Sequence, residues 1–411
     1  MLNSVDAALR RRARKVIPGG LWGHLNAAKL PDGYPQFFSR AEGCRVWDAD
    51  GNEYVDLMCS WGPVVLGHRH PAVDGAARRQ AELGSCMNGP GAVLVDLAEL
   101  LVDLIPHADW AILAKNGTDA TTTCVTLARA ETGRRKVLVA KGAYHGAVPW
   151  CSPSVAGVTD EDRAHLLHYV YNDVASLEAA ADAAGGDLAA LVVSAFRHDL
   201  GTDQELPTAA FAIRAREICD VAGAALIVDD VRAGFRIDLG GSWEPLGVRP
   251  DLSAFSKAIA NGYPLAAIVG GDRFRDAATR IFVTGSFWCE APSMAAAVAT
   301  LTTMRDSGAI AHMAAMGERL RAGLEARARA EGLTLRQTGP AQMPMVLFAD
   351  DPGQKGGEVF CSAALKAGAY FHPRHNMFLS AAHGPEDIDR ALSAAEIGFE
   401  AVRRLRAASA A

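Results

Sequence analysis

The 411-residue chain has no apolar run approaching the ~20 residues a membrane-spanning helix needs, which excludes such a span. It has no basic run, and its formal net charge is −6, which argues against a nucleic-acid partner. No two cysteines form a Cys-x-x-Cys pair. The eight present (Cys44, Cys59, Cys86, Cys124, Cys151, Cys219, Cys289 and Cys361) are scattered, as expected of reduced thiols in the cytoplasm. His68 and His70 have no third histidine or carboxylate at ligand spacing, so no metal site is expected. The N-terminal arginines Arg10, Arg11, Arg12 and Arg14 are not followed by an apolar segment, so a secretory signal is not expected. Lysine is also scarce, with eight in the chain. Half of the residues are hydrophobic, and the length suits a large domain plus a smaller one.

One of those few lysines, Lys257, lies between two apolar segments and is followed by the turn residues Asn261, Gly262 and Pro264. Desolvation there lowers an amine's pKa and frees it to attack a carbonyl. About thirty residues upstream, the apolar run Ala225-Leu226-Ile227-Val228 ends in Asp229 and Asp230. A carboxylate at the C-terminal end of a parallel strand points into the crevice where open α/β sheets bind ligands. This order suits pyridoxal phosphate: the aspartate keeps the pyridine nitrogen protonated, and the lysine holds the cofactor as a Schiff base.

Two further stretches agree. Asn116-Gly117-Thr118-Asp119 follows an apolar run and opens a helical pattern, which makes an anion site of backbone N–H groups. Tyr144, followed by His145 and Gly146, stands at a strand end where an aromatic ring can lie on a pyridine ring. Each stretch alone also fits a plain alternative: a surface lysine, a helix cap without a ligand, a core tyrosine. The four in this order point to the cofactor.

Strands are expected at 110–114, 136–140, 189–195, 225–229, 252–255 and 266–270, alternating with helices in a mostly parallel sheet. Helices are expected over 1–16, 93–105, 207–222 and 385–405, with a long one from about Leu301. Residues 37–56 read as a hairpin, and 147–165 as a long loop of the kind that forms lids. Residues 334–348 and 369–381 read as strands.

With these motifs in place the chain resembles the fold-type I, class III pyridoxal-phosphate aminotransferases, and within them the glutamate-1-semialdehyde 2,1-aminomutase group. Other landmarks are Ile17-Pro18-Gly19-Gly20, the 46–56 segment, Ser60-Trp61-Gly62 and Asp229-Asp230-Val231-Arg232-Ala233-Gly234-Phe235-Arg236. The resemblance implies an α/β fold with a large domain built on a seven-stranded, mostly parallel sheet, and a smaller α+β domain. Residues 56–300 form the large domain, 301–411 the small one, and 1–55 contribute to the small one. It implies ping-pong transfer of an amino group between an amino acid, β- or otherwise unusual, and a 2-oxo acid. Lys257 forms the Schiff base and, once freed, moves the proton; Asp229 holds the pyridinium; Tyr144 packs on the ring beside His145. Asn116, Gly117 and Thr118 hold the phosphate, joined by Ser286 from the other chain of a homodimer. Trp61 approaches the substrate side.

Several residues depart from the aminomutase pattern. Asn26 stands where an arginine binds the semialdehyde carboxylate, and His372-Pro373-Arg374-His375-Asn376 replaces the region of a gate glutamate. An intermolecular aminotransferase is therefore expected, with an aminomutase-like isomerase as the alternative and a cofactor-binding protein without turnover as a third reading. His24, Arg197, Arg232, Arg374 and His375 are candidates to meet a substrate carboxylate, although a structural ion pair is the ordinary role of any one arginine.

Overall fold

A computed structural model describes residues 4–410. All six expected strands of the large sheet form, with 189–195 shifted by one residue. Across the sheet the order is Trp110–Ala114, Ala266–Gly270, Leu252–Phe255, Ala225–Asp229, Leu188–Ser194, Lys136–Ala140, Leu166–Tyr169. Only Ala266–Gly270 runs antiparallel to its neighbours.

These strands are continuous apolar runs because both faces are covered. Leu138, Leu191, Val193, Leu226 and Val228 enter a core beneath the helix Ala209–Ala222. Their neighbours Val137, Val139, Ala190, Val192 and Ile227 enter a second core against the helix Gly117–Thr132. Each such fully buried aliphatic side chain contributes roughly 1.5–3 kcal/mol.

The seventh strand, Leu166–Tyr169, went unread in the sequence. It is four residues long and half-exposed at the sheet edge, so no apolar run marks it. The 147–165 loop before it contains one short helix, Asp160–Arg163.

The chain ends meet in a second sheet. The hairpin Arg45–Asp48 and Glu53–Asp56 is flanked by Phe38–Glu42 on one side and by Ala369–Tyr370, parallel, on the other. The Tyr34 hydroxyl donates to the Phe371 carbonyl at 2.7 Å, adding a tie across 337 residues. The N-terminal helix is Val5–Val16, capped by Ser4; positions 1–3 of the expected helix lie outside the described residues.

Three expectations are corrected. The long helix starts at Ala291, stops at Gly308 in a left-handed conformation, and resumes as Ala309–Ala330. Within 369–381 only Ala369–Tyr370 is strand. His372 Nδ1 accepts from the Arg374 and His375 amides at 3.1 and 2.9 Å, turning the chain, and Pro373 has no N–H for a ladder. Likewise, 334–348 is two short strands, Leu335–Thr338 and Met345–Phe348, rather than one. Among the described residues no helix is long and apolar enough to cross a membrane.

Candidate active site

A cavity of about 250 Å³ gathers Asn116, Gly117, Thr118, Tyr144, His145, Asp229 and Lys257. It opens beyond the C-terminal ends of the parallel strands, where loops replace side-chain packing.

Lys257 follows the strand Leu252–Phe255 in a left-handed conformation, φ 49°. Such backbone costs on the order of 1–3 kcal/mol and persists only where its surroundings enforce it. Four residues on, Asn261 anchors the same turn to a neighbouring segment. Its Oδ1 accepts from the Val65 and Leu66 amides at 2.9 and 2.8 Å, and its Nδ2 donates to the Gly67 carbonyl at 2.9 Å. Burial, with a further push from the Arg232 cation, brings the Lys257 amine down to about 7, against an opposing pull from Asp229.

Asp229 ends its strand with only 8% exposure. Its Oδ2 lies 2.7 Å from His145 Nδ1, and its Oδ1 accepts from the Val231 amide at 3.2 Å. Thr121 donates to the His145 carbonyl at 2.7 Å, fixing the loop that carries the imidazole. The other ring nitrogen, His145 Nε2, is buried with no partner among the described residues.

The helix Gly117–Thr132 begins at the cavity. Asn116 caps it by accepting from the Asp119 amide at 3.0 Å, and the first-turn amides beside it form an anion site. Side chains are excluded here by closeness. A methyl group at Gly117 would sit 2.7 Å from Val231 Cγ1; one at Gly146, φ 131°, would sit 2.6 Å from Thr118 Oγ1.

A wall of rings beside the cavity, not among its lining residues, comes from distant segments. Cys59, Ser60 and Trp61 are consecutive left-handed residues, with φ 46°, 55° and 66°. Asp56 Oδ1 accepts from the Met58 and Cys59 amides at 2.9 and 3.0 Å on one side of the turn. On the other, Arg236 donates to the Gly62 and Val64 carbonyls at 2.8 and 2.9 Å. Trp61 then meets the rings of His24, His372 and His375 edge-on at 4.8, 5.3 and 5.0 Å. Burial lowers the pKa of all three histidines, His372 to about 4. The wall is uncharged near neutral pH. It stands next to the lysine: a methyl at Gly62 would lie 3.5 Å from Lys257 Cδ.

Other expected residues are held elsewhere. Asn26 accepts from the Ala28 amide at 2.9 Å within a local turn. Arg197 pairs with Asp199 at 3.0 Å and Glu205 at 3.3 Å and faces a different surface cavity. Arg374 pairs with Glu358 at 2.5 Å. Ser286 is exposed and does not line the cavity of its own chain. Arg232 does line it. Sequence reasoning passed over His198, which lines the cavity four residues past the strand Leu188–Ser194. Its position beyond a parallel strand's C-terminal end was the available signal.

These groups fit pyridoxal phosphate: a desolvated amine, a carboxylate that would meet a ring nitrogen, a helix start that would hold the phosphate, and a buried unpartnered imidazole nitrogen beside that carboxylate. Comparison with known proteins agrees. A family model described as aminotransferase class-III matches residues 28–383. The aminopentol aminotransferase of Sphingopyxis macrogoltabida is 52% identical over 396 residues, 96% of this chain and 94% of that one. A glutamate-1-semialdehyde 2,1-aminomutase of Bordetella avium is 33% identical over 423 residues, covering 96% of this chain and 99% of its own. A solved structure described as the PLP internal aldimine form of the Sphingopyxis sp. MTA144 FumI protein superposes with a TM-score of 0.97 at 51% identity, covering 98% and 97% of the two chains. The aminotransferase similarity thus exceeds the aminomutase similarity, in line with the departures at Asn26 and His372-Pro373-Arg374-His375-Asn376. The chain belongs to the class III aminotransferases, and it is a pyridoxal-phosphate-dependent enzyme with the fold-type I architecture.

Proposed function

We propose that this aminotransferase takes its amino group from a hydroxylated aliphatic amine and passes it to a 2-oxo acid. The observation that carries the reading is the Lys257 amine, lowered to about 7, in one cavity with the buried Asp229–His145 pair. Pyridoxal phosphate, when bound, supplies the electron sink and carries the amino group between the two substrates.

This chain's residues then have distinct tasks. Near neutral pH a large fraction of Lys257 Nζ is unprotonated, so the amine attacks a carbonyl or takes a proton without first losing one. Asp229, oriented by His145, offers its carboxylate to a protonated ring nitrogen. Gly117 and Thr118 offer first-turn amides to a phosphate, with Asn116 at its edge. Tyr144, which lines the cavity, would cover one face of a bound ring.

The donor class rests on three supports. The relative named aminopentol aminotransferase is 52% identical. Arg197 and Arg374, two candidates for a donor carboxylate, are already paired with acids. The wall of Trp61, His24, His372 and His375 combines an apolar ring with neutral imidazoles, which suits hydroxyls on a carbon chain better than a carboxylate.

A homodimer with shared active sites suits the segment that carries Ser286. Phe282 and Phe287 on it are 92% and 66% exposed. Glu290 at its end accepts from Lys115 at 3.1 Å, beside the phosphate cradle, so a partner covering these rings also reaches the cavity mouth. Eight unpaired cysteines support a cytoplasmic location.

The test is a half-reaction. The purified holoenzyme is mixed with aliphatic amino alcohols, β-amino acids, α-amino acids or glutamate 1-semialdehyde, and the cofactor's visible absorbance is followed. Bleaching by the amino alcohols, reversed by pyruvate, is expected. Bleaching by amino acids alone would overturn the donor class, and 5-aminolevulinate formed from the semialdehyde without any 2-oxo acid would establish the aminomutase.

A further inference from the structure

Arg232 differs from the other arginines considered for substrate. Arg197 and Arg374 pair with carboxylates. Arg232 makes no ion pair among the described residues, and its one hydrogen bond there runs from Nη1 to Asn376 Oδ1 at 2.8 Å. Asn376 is 1% exposed and donates its own Nδ2 to the Met377 carbonyl at 2.8 Å, so its oxygen is locked toward the guanidinium. A neutral amide orients the fork without cancelling its charge. A guanidinium has five N–H donors, and four remain for a ligand.

Asp229, Tyr144 and Asp199 offset part of that charge from a distance, but none of them bonds to it. Among the described residues Asp229 is the one carboxylate lining the cavity, and its Oδ2 is engaged by His145. His198 and His375 are both pushed well below their usual range, first by burial and then by Arg232. Asn376 directly follows His375, whose ring meets Trp61 at 5.0 Å. The guanidinium therefore lines the cavity with Lys257 and is tied through Asn376 to the segment that carries His375.

Building on the function proposed above, we infer that Arg232 receives the carboxylate of the 2-oxo acid acceptor, with Asn376 as its positioning residue. The hydroxylated donor brings no carboxylate and the acceptor must, so one fixed cation in the cavity discriminates between the two half-reactions. A bidentate fork matches a carboxylate in geometry as well as charge.

The experiment compares pyruvate with acetaldehyde, which carries hydrogen in place of the carboxylate, and reads how each variant changes the ratio relative to wild type. The aminated holoenzyme is reacted with each, and kcat/KM is read from the return of the cofactor's absorbance. Arg232→Gln is expected to lower the pyruvate-to-acetaldehyde ratio by roughly 10–100-fold, the scale of a lost charge-assisted hydrogen bond. Arg232→Lys is expected to restore part of the ratio. Asn376→Asp, which keeps Arg232 but gives it a carboxylate neighbour, is expected to lower the ratio as well. If Arg232→Gln slows both acceptors equally and the ratio stays put, the residue acts through the cofactor or the fold and the inference fails. If the wild type regains its absorbance with neither acceptor, the 2-oxo acid reading itself falls. The two failures are distinct because the second is seen in the unmutated enzyme.

Discussion

His145 Nδ1 stands 2.7 Å from Asp229 Oδ2, with both side chains buried and the far nitrogen of the imidazole left without a partner among the described residues. The histidine, itself part of the cavity lining, holds the carboxylate in place through Oδ2. Losing one charge-assisted hydrogen bond of about 1.5–3 kcal/mol corresponds to roughly 10–100-fold in rate. His145→Ala is expected to lower kcat by that factor. Asp229→Ala, which removes the carboxylate itself, is expected to lower it by more. Steady-state kinetics at saturating cofactor checks the ranking, and a histidine variant as damaged as the aspartate variant would contradict it.

The Lys257 amine, at about 7 rather than the usual 10.5, sets a pH dependence. The neutral amine is the nucleophile, so cofactor capture by the apoenzyme should rise with pH, reach half its maximum near pH 7, and level off by about pH 8. A midpoint near 10 would mean that the amine is solvated. Borohydride reduction followed by peptide mass mapping should place the trapped cofactor on Lys257. Lys257→Ala should lose both the adduct and, on the order of 10²–10⁴-fold, the rate.

Asp230, next to the site and 1% exposed, carries a carboxyl raised from 3.8 to about 7, chiefly by burial. Its Oδ2 accepts from the Ser242 amide at 2.7 Å, while Oδ1 has no partner among the described residues. The folded state binds this proton more tightly than the unfolded state. Its contribution to stability is therefore greatest below pH 4 and is lost as pH rises from about 4 to 7, at most on the order of 4 kcal/mol. Asp230→Asn should flatten the fall in stability across that window relative to wild type. Urea melts at pH 5 and pH 7.5 measure the difference, and an unchanged slope would exclude a buried, protonated Asp230.

Arg236 is fully buried with no carboxylate partner among the described residues, and burial lowers it to about 10. It donates to the Gly62, Val64 and Leu379 carbonyls, tying the left-handed Trp61 turn to the C-terminal segment. Arg236→Met removes the cation but strands three carbonyls, each worth about 1–3 kcal/mol when unsatisfied. A net loss of about 3 kcal/mol in urea unfolding is expected, together with a raised KM for the amine as the Trp61 wall loosens. A stability loss with KM unmoved would separate the fold from the wall.

The parts of the site that were legible in the sequence are those set by local order. Asn116-Gly117-Thr118 announces itself because a strand, a cap residue and a glycine are contiguous. Asp229 and Lys257 do so because each closes or follows an apolar run. His198 escaped attention because no apolar pattern continues through it. The strand Leu166–Tyr169 escaped because an edge strand needs only half its residues buried.

The sequence by itself determined six of the sheet's seven strands, the order of its cofactor residues and the family. Continuous apolar runs can be satisfied only by burial on both faces, and their C-terminal ends meet in one crevice. Tertiary structure alone decided which charges were spent. Arg197 and Arg374 find carboxylates within a few residues or across a loop, while Arg232 is turned toward the neutral Asn376, 144 positions away. It also decided that His24, Trp61 and His375 share a wall, since edge-on ring packing depends on three backbone paths converging. A chain can encode its strands locally. The pairing state of an arginine depends on every segment that reaches it, and that is settled only when the fold closes.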